Sequence, residues 1–157
     1  MKDLAAYLTQ LGCRDVRTYI QSGNAVARQS SKSISTLARS LSETIADNHG
    51  FAPHVLAFAA DKLDSIIEEN PFAAAESNPA FLVVGFLDRA AKSPNLARLD
   101  KLRTASERFH LTDDAFYLHV PEGLGRSRLA TAAERAVGVA MTMRNWRTVM
   151  KLHEMAG

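Results

Sequence analysis

The sequence predicts an α+β protein made of two tandem βαββαβ units, the first lacking its opening strand, with a C-terminal helix added at the end. Three observations carry this reading. The first half reads α-β-β-α-β and the second β-α-β-β-α-(β)-α, so the two halves share one element order apart from the opening strand. Residues 81–87 form a nearly continuous apolar run, the mark of a strand buried on both faces. Short turn signals, Ser22-Gly23-Asn24 and Thr112-Asp113-Asp114, separate neighbouring strand patterns as hairpins require. Ferredoxin-like units are the economical form of this order.

In chain order, Leu4, Ala5, Leu8 and Leu11 mark a helix over 3–11, stopped by Gly12. Val16, Thr18 and Ile20 alternate with Arg17 and Tyr19, predicting a strand over 15–20, and 25–28 is the returning strand. Ile34, Leu37, Leu41 and Ile45 give a helix over 33–48 closed by Gly50, and Val55, Leu56 and Phe58 predict a short strand after Pro53. Asp61 opens a connecting helix over 61–69, which Pro71 ends by disfavouring helix at Asn70. Residues 73–79 read as a linker. The division expected is an incomplete unit over 1–60, a connecting helix and linker over 61–79, and a second unit with the C-terminal helix over 80–157. Within that second unit, a helix over 95–104, strands over 108–111 and 116–120, and a helix over 127–137 follow the central strand. A short extended piece is expected over 139–141, with Thr142 capping a last helix that carries Trp146, Val149, Met150 and His153 on one face.

Composition narrows the function classes. The chain has 157 residues, a 46% hydrophobic fraction and a net charge of only +2, which argues against wholesale coating of a polyanion. The charge is uneven, however. From residue 121 onward, Arg126, Arg128, Arg135, Arg144, Arg147 and Lys151 face only Glu122, Glu134 and Glu154. A single cysteine, Cys13, excludes an internal disulfide and a cysteine-rich metal site, and points to a reducing compartment. No apolar run reaches membrane-spanning length and no signal peptide is read, so the expectation is a cytoplasmic protein.

The block over 123–152 holds the candidate site. Gly123-Leu124-Gly125-Arg126-Ser127 precedes a helix; its glycines let backbone N–H groups turn toward an anion, and Ser127 is placed to cap. Arg126 and Arg128 suit a bidentate grip on phosphate or carboxylate. The alternative is an ordinary strand-to-helix turn with solvated arginines, since the phosphate-loop pattern ending in Gly-Lys-Ser/Thr is absent. Arg144, Asn145 and Trp146 suit phosphate contact and base stacking; the alternative has Trp146 in the core. Tyr19, Gln21, Ser22 and Asn24 surround the first hairpin turn, and turn chemistry explains them. His110, Asp113, Asp114 and His119 flank the second hairpin without a strong metal-ligand spacing, and the two histidines are read as facing opposite sides.

Several segments carry a resemblance. VRTYIQSGNAVA (16–27), ENPF (69–72), GLGRSRL (123–129), ERAVG (134–138) and MRNWRTVMKL (143–152) resemble a family of small, mostly bacterial proteins known only as a domain of unknown function. Members typically read YIQSGN, NPF, GRSKL, ERALG and TTRNWNTVLKL at these places. The resemblance implies a two-part α+β fold of ferredoxin-like units, and no activity, substrate or cofactor. Met143 and Arg147 stand where members usually carry Thr and Asn, which weakens any hydroxyl or amide role there. The family also opens with a strand and Gly-rich turn similar to ALLRGINVGG; on that alignment the present chain is expected to start a strand and a loop late.

The function expected is a binding module for a phosphorylated small molecule or nucleic acid, through Gly123, Gly125, Arg126, Ser127, Arg128, Arg144, Asn145 and Trp146. Two alternatives stand beside it: a small enzyme acting on an anionic substrate, and a structural role as a homodimer paired through the first half. Neither a cofactor nor a metal is expected. For nucleic acid, the obvious strand aromatics are Tyr19, Phe86 and Tyr117, and no RNA-binding signature accompanies them.

Overall fold

The computed structural model describes residues 2–21, 23–29 and 33–157, so Ser22 of the first hairpin turn lies outside the described residues. The chain divides into two compact units, residues 1–64 with 151–157, and residues 65–150. The protein is mixed α/β, with six α-helices and two small antiparallel sheets among the described residues.

In the first unit, α1 (Lys2–Gln10) ends as Gly12 takes φ 94°, and a hairpin of β1 (Arg14–Tyr19) and β2 (Asn24–Arg28) follows. The ladder pairs Arg14 with Arg28 and then Arg17 with Val26, so β1 carries one extra residue, a bulge in which Asp15 has φ 52°. Next comes α2 (Ile34–His49). Ser33 Oγ accepts from the Thr36 N–H at 3.2 Å to start it, and Gly50 ends it in the left-handed region. The unit buries Leu8, Cys13 and Leu41 against partly covered Leu4, Tyr7, Leu37, Val16, Ala27 and Val55. Arg17 donates a hydrogen bond to the Met155 carbonyl, and His153 Nε2 lies 3.2 Å from Asp64 Oδ1.

The strand expected over 55–58 is not formed. A strand needs a ladder partner, and among the described residues pairing in this unit stops at two strands, β1 and β2. Val55 packs against the small core without a ladder of its own. After α3 (Ala60–Glu68), the expected linker also takes structure, a 3-10 turn over Ala73–Ser77.

The second unit is built on β3 (Leu82–Leu87), whose six residues are all buried. It is followed by α4 (Leu96–Leu102), β4 (Arg108–Leu111), β5 (Ala115–His119), α5 (Arg128–Val137), β6 (Met141–Asn145) and the start of α6 (Trp146–Ala156). The sheet order is β4-β5-β3-β6, antiparallel throughout. One face carries Val83, Leu87, Phe116 and Leu118 against Leu99, Leu129, Ala133 and Val137 of the two helices. Burying each such Leu or Val is worth about 1.5–3 kcal/mol. Gly85 suits the middle of β3, because a Cβ there would come within 3.0 Å of Met141 Sδ.

The last helix starts later than Thr142. β3 offers a ladder as far as Val83, and Asn145 pairs with it, so residues 141–145 stay extended. Asn145, not Thr142, then caps α6, its Oδ1 accepting from the Thr148 N–H at 2.9 Å.

Candidate functional site at one end of the second sheet

Strand β5 ends at His119 opposite Leu82, and β6 ends at Asn145 opposite Val83. Both strands therefore finish at the end of the sheet where β3 begins, on either side of it. Neighbouring strands lie about 4.8 Å apart, which puts the two exits about 10 Å from each other. The loop leading to α5 and the start of α6 thus share one end of the second unit.

The loop is built by local chemistry. The Val120 N–H donates to the Phe81 carbonyl at 2.8 Å, Gly123 takes φ 96°, and a 3-10 turn covers Leu124–Arg126. Ser127 is 3% exposed, and its Oγ accepts from the Ala130 N–H at 3.0 Å, so it is the N-cap of α5. Gly125 is exposed and open to solvent, with nothing within 4 Å of the place a Cβ would occupy. Arg126 and Arg128 are exposed, and among the described residues neither guanidinium has a hydrogen-bond or ion-pair partner. Neither α5 nor α6 has an acidic residue in its first turn. Each first turn instead carries one arginine, Arg128 in α5 and Arg147 in α6, which opposes the positive end of the helix dipole and leaves it unneutralised.

The residues anticipated for this site divide into those that gather and those that do not. Gly123, Gly125, Arg126, Ser127 and Arg128 sit on the loop, and Asn145 stands at the same end of the sheet with its amide oxygen committed to the cap. Arg144 is opposite Val84 and shares its sheet face, half-buried; burial lowers its pKa, and its Nη1 donates to the Met143 carbonyl at 2.8 Å. Trp146 is only 3% exposed, so its ring packs in the interior and offers no face for stacking. Arg147, absent from the expected set, is exposed in the first turn of α6 without a partner among the described residues. Its position two residues after Asn145, in the basic C-terminal block, is the signal that would have found it.

The other candidates have structural roles. Asn24 is 7% exposed and its Nδ2 donates to the Tyr19 carbonyl at 3.2 Å, closing the first hairpin. The register sets Arg108 opposite His119 and His110 opposite Tyr117, so the two histidines share a face of the second hairpin and do not oppose each other. No group of three or more His, Cys, Asp or Glu suited to a metal occurs among the described residues. Phe86 and Tyr117 are 4% and 0% exposed, which withdraws them as a stacking platform. Glu122, the carboxylate next to the loop, accepts from Ser106 Oγ at 3.2 Å. Among the described residues no helix is long and apolar enough to cross a membrane.

A sequence profile of the family described as "Protein of unknown function (DUF1697)" matches residues 1–117. The chain belongs to this family. The match ends ahead of the 123–152 block, so membership leaves the candidate site to be argued from its own geometry. Among solved structures, the chain is similar to the conserved bacterial protein SP0830 from Streptococcus pneumoniae, at 21% identity and a TM-score of 0.71. The similarity covers 99% of this chain and 88% of that one, and at this identity it speaks to the fold. No curated protein matches the sequence.

Proposed function

We propose that this DUF1697 protein is a binding module for an anionic ligand, taken at the end of the second sheet where α5 and α6 begin. The observation that carries this is that two unneutralised helix starts and Arg126, Arg128 and Arg147, none of them partnered among the described residues, belong to one end of the second sheet. A phosphorylated small molecule is favoured over nucleic acid, because Phe86 and Tyr117, the strand aromatics anticipated on the second sheet, are buried and offer no face to bases there. Behind this stands a reading of the second unit as ferredoxin-like, its first strand lying between its third and fourth. The first unit is read as the same design without that central strand, and the protein as cytoplasmic. Calorimetric titration with pyrophosphate, beside a labelled single strand at low and moderate salt, tests the function. Saturable pyrophosphate binding with weak, steeply salt-dependent strand binding is expected. No binding of either ligand at low salt would remove the reading.

A further inference from the structure

Of the three strand aromatics, Phe86 and Tyr117 are buried, while Tyr19 is partly exposed on β1. The ladder fixes what stands beside it. Arg14 lies opposite Arg28, Arg17 opposite Val26 and Tyr19 opposite Asn24. Directly opposed residues point to the same side of a sheet, so Arg14, Arg17, Tyr19, Val26 and Arg28 share one face of the hairpin. Val16 and Ala27 belong to the other face and pack against the small core of Leu8, Cys13 and Leu41. The bulge produces this arrangement. Strict alternation back from Arg17 would set Asp15 opposite Arg28, and the extra residue sets Arg14 there instead.

Like charges directly opposite each other destabilise a ladder, so the Arg14–Arg28 pair opposes folding of the free hairpin. Arg14 is exposed and has no hydrogen-bond or ion-pair partner among the described residues. Arg28 meets Asp15 at 3.3 Å, but the two side chains are 81% and 68% exposed, and a surface pair of this kind contributes little. Arg17 is also exposed, and donates to the Met155 carbonyl. We propose that this face of the β1–β2 hairpin binds single-stranded nucleic acid. Arg14 and Arg28 hold one backbone phosphate between them, Arg17 draws a second, and Tyr19 stacks on a base. A phosphate between the opposed guanidinium groups replaces their repulsion with charge-assisted hydrogen bonds, for which the planar fork of arginine is suited. The Arg14–Arg28 and Tyr19–Asn24 pairs stand at opposite ends of β2, about 14 Å apart at about 3.4 Å per residue, so phosphates and base are met along one line. Stacking on a tyrosine tolerates any base but needs its face uncovered, which selects single strands over duplex. The site belongs to the first unit and shares no residue with the loop of the second.

The test is fluorescence anisotropy of labelled oligo-uridine and oligo-deoxythymidine, about ten nucleotides long, against the full chain at rising salt. Wild type is expected to bind at low salt, with log K falling against log salt at a slope of about −2, from three arginines at about −0.7 each. Arg14→Gln combined with Arg28→Gln is expected to bring the slope to about −0.7, with a melting temperature equal to or above that of wild type because the opposed charges are gone. Tyr19→Leu is expected to weaken binding about tenfold at an unchanged slope, as loss of a stacking contact does. Asp15→Asn removes the competing carboxylate at a residue with φ 52°, a conformation asparagine accepts, and is expected to tighten binding, a gain that misfolding cannot produce. Pyrophosphate binding is expected to stay unchanged in these variants, so failure here leaves the second-sheet reading standing. No strand binding by wild type at low salt overturns the proposal. So does a slope unchanged in the Arg14→Gln, Arg28→Gln chain, or strand binding lost in an Arg126→Ala, Arg128→Ala chain, which would assign the strand to the second sheet. Binding of phosphatidylserine vesicles through Arg14 and Arg28 without strand binding overturns it in favour of a membrane surface.

Discussion

The Tyr117 hydroxyl donates to the Ile66 carbonyl at 2.6 Å, and both residues are 0% exposed. The bond joins α3 to the sheet face opposite α4 and α5, and it satisfies two buried polar groups at once. Tyr117→Phe keeps the ring and strands the carbonyl. The expected cost is about 1–3 kcal/mol, read as a lower denaturation midpoint with an unchanged slope.

The same residue sets an alkaline limit. Burial raises the Tyr117 pKa above its ordinary 10.0, with the negative charges of Glu69 and Asp114 adding to it. In the unfolded chain the phenol ionises near 10, while in the folded protein it keeps its proton to higher pH. The unfolded state therefore binds fewer protons above pH 10, and stability falls as pH rises from there. Melting curves between pH 8 and 11 should show this fall in wild type and a shallower one in Tyr117→Phe. Equal slopes would mean that the burial of Tyr117 is not what limits the protein in alkali.

Asn145 separates structural from binding roles. Its side chain caps α6, so Asn145→Ala should cost about 1 kcal/mol. Asn145→Asp retains the capping oxygen and adds a negative charge where the helix dipole favours one. The melting temperature of that variant should hold or rise while pyrophosphate affinity falls. If affinity is unchanged, the start of α6 does not face the ligand.

Trp146 is the single tryptophan of the chain. Buried at 3% exposure, it should fluoresce as an interior residue, resist quenching by acrylamide, and report no change when ligand is added. Ligand-induced quenching would place a stacking surface where the fold puts core.

Much of the fold is legible because its stops and starts are local. Ser33 and Gly50 bracket α2, and Ser127 and Gly138 bracket α5, through caps that depend only on nearby backbone. Asn95 likewise caps α4 by accepting from the Arg98 N–H at 3.1 Å. What depends on a distant partner is less legible. Val55, Leu56 and Phe58 carry a strand's composition, but composition does not reveal whether a ladder partner exists. Thr142 is a sound cap by residue type, yet β3 holds residues 141–145 extended and passes the role to Asn145. The candidate site shows the same division. The glycines and serine of its loop are read from sequence, whereas the placement of Arg147 at the same end of the sheet as that loop follows from strand order. The burial of Trp146 belongs to packing, which a lone tryptophan in sequence does not disclose.

The most direct test of the anion-binding account replaces Arg126 and Arg128 together with alanine. Both side chains are exposed and without partners among the described residues, so the melting temperature should stay close to wild type, within about 0.5 kcal/mol per site. Pyrophosphate binding, measured by calorimetry on the same samples, should be lost. Unchanged pyrophosphate binding in the double variant, or a large fall in melting temperature, would contradict the account and assign these arginines to solubility or to structure.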